Sequence, residues 1–143
     1  MTVFEEIEAG IDLAANATDP AKGMASLLAL GEDILEHWVR ARGEIPTEDQ
    51  KEGFRLLALH RQGARGEPSF NACRETCREL AYHYNLIAKE PEHPEVAKRL
   101  TLARMVARHL CYFVGGKMEV EKLGEFCCSS RPIRTGGNQS QKL

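Results

Sequence analysis

The sequence predicts an all-α protein: one bundle of about five helices over residues 1–126, followed by a flexible C-terminal tail over residues 127–143. Three observations carry this. Apolar residues recur at the 3.6-residue period in five separate stretches. Prolines, glycines and capping residues punctuate those stretches with short loops. No stretch shows the strict alternation of a half-buried strand.

Phe4, Ile7, Ile11, Ala14 and Ala15 mark the first helix, with Glu5, Glu6 and Glu8 near its positive end, where the dipole favours carboxylates. It stops between Asn16 and Asp19. Asp19-Pro20 reads as cap and first helical position of a second helix, whose inward stripe is Leu27, Gly31, Ile34, Leu35, Trp38 and Ala41. Gly43 and Pro46 end it. Thr47-Glu48-Asp49-Gln50 matches a capping box, so a third helix is expected from there to about Gln62, burying Phe54, Leu57 and Ala58. Gly63 and Gly66 break it.

The most regular stretch runs from Ser69 to Glu90. Phe70, Cys73, Cys77, Leu80, Ala81, Tyr84, Ile87 and Ala88 share one face, with Arg74, Glu75, Arg78, Glu79 and Tyr82 elsewhere. Pro68 and Ser69 start this fourth helix and Pro91 ends it. Pro94 opens a fifth, turning Val96, Leu100, Ala103, Ala107, Leu110, Cys111 and Val114 inward, with Leu102, Val106 and Phe113 as a second apolar strip. Gly115-Gly116 is expected to stop it. Trp38, Leu80, Tyr84, Leu100 and Leu110 are the expected core.

A chain of 143 residues is about one domain. Its net charge of −2 offers no field to attract nucleic acid or anionic lipid, so neither is an expected partner. The acidic, amphipathic start lacks the features of a signal peptide, and no run approaches the length of a membrane span. A cytoplasmic location follows as an expectation. There the five cysteines, an odd number, are thiols or ligands rather than a disulfide framework.

The cysteines are the sharpest chemical feature. Cys73 and Cys77 lie four apart on one helical face, and Cys111 sits on the inward stripe of the next helix, antiparallel to it. With Cys127 and Cys128 folding back, the set would hold a thiolate-bound metal (zinc or copper), an iron–sulfur cluster or a sulfur species. Cys73 is the most acidic of them if Ser69 caps its helix, since a first-turn thiolate is stabilised by the helix and by Arg65 and Arg74 nearby. Free cysteine is also among the most buried residue types, so Cys77 and Cys111 read equally as core.

Two other constellations stand beside the thiols. Asp33/His37 and Glu79/His83, each spaced by four, would suit a bundle metalloenzyme. Di-iron bundles use Glu-x-x-His, however, and both pairs fall on the bundle rim. Arg61 and Arg65, with Ser69 at the start of the central helix, form an expected anion-binding site. Arg104 and Arg108 offer a further contact for an acidic partner surface.

No nucleophile elbow, Rossmann fingerprint, phosphate loop or paired C-x2-C zinc motif occurs. The expected function is that of a small cytoplasmic accessory or interaction protein with a thiol-rich site and another protein as partner, a homodimer being an open alternative. A structural helical module with core cysteines and a bundle metalloenzyme are the competing readings.

Overall fold

Thr2 opens the first helix with a reciprocal cap. Its hydroxyl accepts from the Glu5 N–H at 3.2 Å, and its own N–H donates to the Glu5 carboxylate at 2.8 Å. Donors that the helix start would otherwise orphan are thereby satisfied. In the computed structural model, which describes residues 2–121, this helix is α1, Val3–Ala15. It is followed by α2, Pro20–Ala41; α3, Arg55–Ala64; α4, Arg74–Lys89; and α5, Val96–Val120. A 3-10 segment, Pro68–Cys73, leads into α4. The described residues contain no strand beyond one bridge between Lys51 and Phe54. The all-α bundle is therefore the fold.

α2 is the axis of the bundle, touching each of the other four helices, and α5 lies against α1, α2 and α4. Its stripe of Leu27, Ile34, Leu35 and Trp38 is fully buried, each such side chain contributing about 1.5–3 kcal/mol. Gly31 sits where a Cβ would lie 2.7 Å from Leu80 Cδ2, so its lack of a side chain lets α4 pack closely on α2. Trp38 joins three elements at once. Its ring stacks on Phe70 at 4.5 Å, and its indole N–H donates to the Gly63 carbonyl at 2.9 Å. Leu80, Leu100 and Leu110 are buried as expected. Tyr84 is only half-buried, edge-on to Phe54 at 5.7 Å.

Three expected boundaries are corrected. α3 begins at Arg55, not at Thr47. The Thr47 hydroxyl accepts from Asp49 N–H in a local turn, and the backbone groups of Thr47 are taken by Gln62 and Arg55. The chain then reverses through Glu52 and Gly53, at φ 56° and 86°, a left-handed pair incompatible with helix. Ser69 does not cap the central helix, because the first residues wind as a 3-10 turn and Cys73 is the N-cap residue. α5 runs through Gly115-Gly116, where the Phe4 ring packs against Gly115.

The second apolar strip of α5 is only partly covered, with Leu102 exposed and Val106 and Phe113 half-buried. Arg104 and Arg108 are half-buried and engaged within the chain. They bind Asp12 at 2.9 Å and Glu8 at 3.3 Å, fastening α5 to α1. No helix among the described residues is long and apolar enough to cross a membrane. The expected tail, with Cys127 and Cys128, lies outside the described residues.

Candidate anion-binding cleft and buried thiols

Two arginine pairs at helical spacing, Arg61/Arg65 and Arg74/Arg78, are carried by neighbouring elements. Arg61 lies in the last turn of α3 and Arg65 just past its end; Arg74 and Arg78 occupy the first turns of α4. Because α3 and α4 pack together, the pairs face each other across a cleft of about 280 Å³, which Lys51 joins from the reversed turn. His60 and Asn71 also line it. Five cations thus converge in a chain of net charge −2.

Among the described residues, Lys51, Arg61 and Arg65 form no ion pair, and Arg74 has only Glu75 at 4.0 Å. Arg74 also stands at the positive end of its own helix, where a cation is disfavoured. Arg78 alone is fully engaged, gripping both Glu52 oxygens at 3.1 and 3.2 Å. That fork holds the Glu52 carboxyl below the ordinary carboxylate range, first by hydrogen bonding and then by charge. Glu52 is held there by a left-handed backbone that costs a non-glycine residue roughly 1–2 kcal/mol.

The loop ahead of α3 is rigidly tied. The Gln62 amide accepts from Thr47 N–H at 2.8 Å and donates to the Ile45 carbonyl at 2.8 Å. Arg55 donates to the Thr47 carbonyl at 2.9 Å and ion-pairs with Glu32 and Glu36 of α2.

Of the expected anion site, Arg61 and Arg65 line the cleft and Ser69 does not. The Ser69 hydroxyl donates to Glu67 at 3.1 Å and accepts from Lys117 at 2.7 Å. Lys51, Arg74 and Arg78 were missed. The available signal was the repeated R-x-x-x-R spacing on two successive helices.

Cys73, Cys77 and Cys111 are free and buried. Cys73 Sγ donates to the Phe70 carbonyl at 3.3 Å, and His60 Nε2 lies 3.1 Å from that same oxygen. A carbonyl only accepts, so Nε2 carries the proton. The hydrogen-bonded Cys77 thiol, then His60, hold Cys73 down at about 6 against the opposing effect of burial. The same hydrogen bond and burial push Cys77 upward.

Cys111 is not brought to this pair. It faces α1, with Sγ 3.6 Å from the Phe4 carbonyl, and burial followed by the Glu8 charge raises it to about 11. Among the described residues no three His, Cys, Asp or Glu side chains are grouped to hold a metal ion. The histidine pairs do not converge either. Asp33 is exposed, His37 packs against the Phe4 ring at 6.0 Å, and burial lowers His83.

Compared with protein-family models, curated proteins and solved structures, the chain matches none.

Proposed function

We propose that the protein is a small cytoplasmic interaction protein that recognises an anionic group, carboxylate or phosphate, in the cleft between α3 and α4. The observation that supports it is the convergence of Lys51, Arg61, Arg65, Arg74 and Arg78 on one cleft, with three of them unpaired among the described residues. Unpaired like charges repel each other and contribute nothing to folding, yet together they focus a field that concentrates anions. Guanidinium forks match the two oxygens of a carboxylate or phosphate. At about 280 Å³ the cleft is small for a whole cofactor and suits an anionic head group or side chain. Free thiols at Cys73, Cys77 and Cys111 fit a reducing compartment.

The test is an NMR titration with sodium phosphate at constant ionic strength, chloride making up the balance. Saturable shifts are expected at the Arg61 and Arg65 side chains and the Asn71 and Arg74 amides, and their loss in Arg61→Gln/Arg65→Gln. Shifts that never saturate, or persist in that variant, refute the proposal.

We further propose that Cys73 and Cys77 act as a two-thiol site for a soft monovalent ion such as copper(I). Their spacing of four at the start of α4, with both thiols free and buried, supports this, and soft thiolates favour that ion. Metal analysis of anaerobically purified protein would show copper retained by the wild type and lost in Cys73→Ser. Equal content in both excludes the pair as the site.

A further inference from the structure

Arg61 and Arg65 also line a second cleft, of about 380 Å³, whose far wall is Ile45, Pro46 and Thr47. The two arginines belong to both linings, so the clefts adjoin along them. Ile45 is 88% exposed, the most exposed large apolar side chain among the described residues. A lone exposed isoleucine is ordinary on a mobile loop. This one is fixed: its carbonyl is held by Gln62, Pro46 beside it is buried, and Thr47 is bonded through both backbone groups. The fold fixes the backbone that carries this exposed β-branched apolar group, beside the unpaired Arg61 and Arg65.

We propose that the joined clefts form a docking groove for an acidic peptide segment of another protein, carrying an apolar side chain beside its carboxylates. This rests on the anion-binding proposal and gives the anion a source. Arg61 and Arg65 would take the carboxylates, Lys51 and Arg74 would extend the positive field, and Ile45 would receive the apolar side chain. Asp49, the carboxylate in the second lining, is not part of the first. In an extended segment alternate side chains face the same way. The test peptide below therefore carries a carboxylate two positions from each leucine, on the same face.

Charge complementarity favours a peptide over a free oxyanion, since a small ion would leave Ile45 in water. It also favours a foreign segment over a second copy, because the arginines need an acidic counterpart. The loop that walls the groove has its backbone held by hydrogen bonds, so little backbone ordering is lost on docking.

The experiment is fluorescence anisotropy on the full chain with three labelled peptides. The first is Glu-Leu-Asp-Glu-Leu-Asp-Glu, the second has both leucines replaced by serine, and the third has all carboxylates replaced by amides. The first is expected to bind, more weakly as salt rises. The second should bind roughly tenfold more weakly and the third not at all. Ile45→Ser, at a side chain that packs on nothing, should reduce the first peptide to the level of the second and leave the second unaffected. Arg61→Gln should weaken both.

If the first two peptides bind equally and Ile45→Ser changes nothing while Arg61→Gln weakens both, the groove is overturned and the anion cleft stands. If phosphate titrates the cleft but no peptide binds, the groove is likewise overturned. If neither phosphate nor peptide binds, both proposals fall.

Discussion

Gln62 and Thr47, fifteen residues apart, are joined by a 2.8 Å hydrogen bond from the Thr47 N–H to the Gln62 side-chain oxygen. The other end of the same amide donates to the Ile45 carbonyl at 2.8 Å. With Arg55, which donates to the Thr47 carbonyl, Gln62 fixes the loop that walls the groove. Gln62→Ala should destabilise the protein by about 0.5–1.5 kcal/mol, since it removes a part-buried bond to Thr47 N–H and an exposed one to the Ile45 carbonyl. It should also speed hydrogen exchange through residues 44–50. A loss under about 0.5 kcal/mol with unchanged exchange would show that the loop is held by other contacts.

Gly63 is required by its neighbours. A Cβ there would lie 2.8 Å from Trp38 Cδ1 and 3.0 Å from Phe70 Cε2, both in a ring stack with no room to yield. Gly63→Ala should cost on the order of 1–3 kcal/mol and shift the emission of Trp38, the sole tryptophan. Unchanged denaturation and emission would contradict the stack.

Cys73 should titrate alone. Held at about 6, it ionises in the folded protein well below the ordinary thiol value of about 8.5. A depressed value means that the stabilisation from Cys73 is fully present above about pH 8.5 and is lost as pH falls through 6. Thiolate absorbance near 240 nm should rise with a midpoint close to 6, and that step should vanish in Cys73→Ser. Cys77 and Cys111, both pushed upward, should stay protonated through pH 9. A first midpoint above pH 8 would contradict the arrangement of Cys73, Cys77 and His60.

Most of the bundle was legible because helix signals are local and periodic. Asp19-Pro20 starts α2 as its chemistry dictates, the Asp19 carboxylate accepting from the Ala21 N–H at 3.0 Å. The α2 stripe is the one its period implies. Thr47 misled because a capping-box pattern is weaker than the long-range bonds from Gln62 and Arg55 that claim its backbone. Gly115-Gly116 misled because a helix-interior glycine costs only about 1 kcal/mol against alanine, and Phe4 packing offsets it.

Arg61 and Arg65 were legible as neighbours in a candidate site from their loop alone, and both line the cleft. Lys51, Arg74 and Arg78 were not, because a turn and a separate helix bring them in only through tertiary packing. Cys111 carried no local sign that it faces α1 rather than α4. Its distance from Cys73 depends on the rotation of α5, which a helix apolar on two sides leaves open.

The most direct measurement is a crystal structure of the protein in selenate, whose selenium gives an anomalous signal. The expected peak lies in the cleft between α3 and α4, with oxygen atoms about 2.7–3.2 Å from the guanidinium nitrogens of Arg61 and Arg65. It should disappear in Arg61→Gln/Arg65→Gln without change to the surrounding helices. Selenate bound elsewhere, with Arg61 and Arg65 left in water, would contradict the anion-binding cleft.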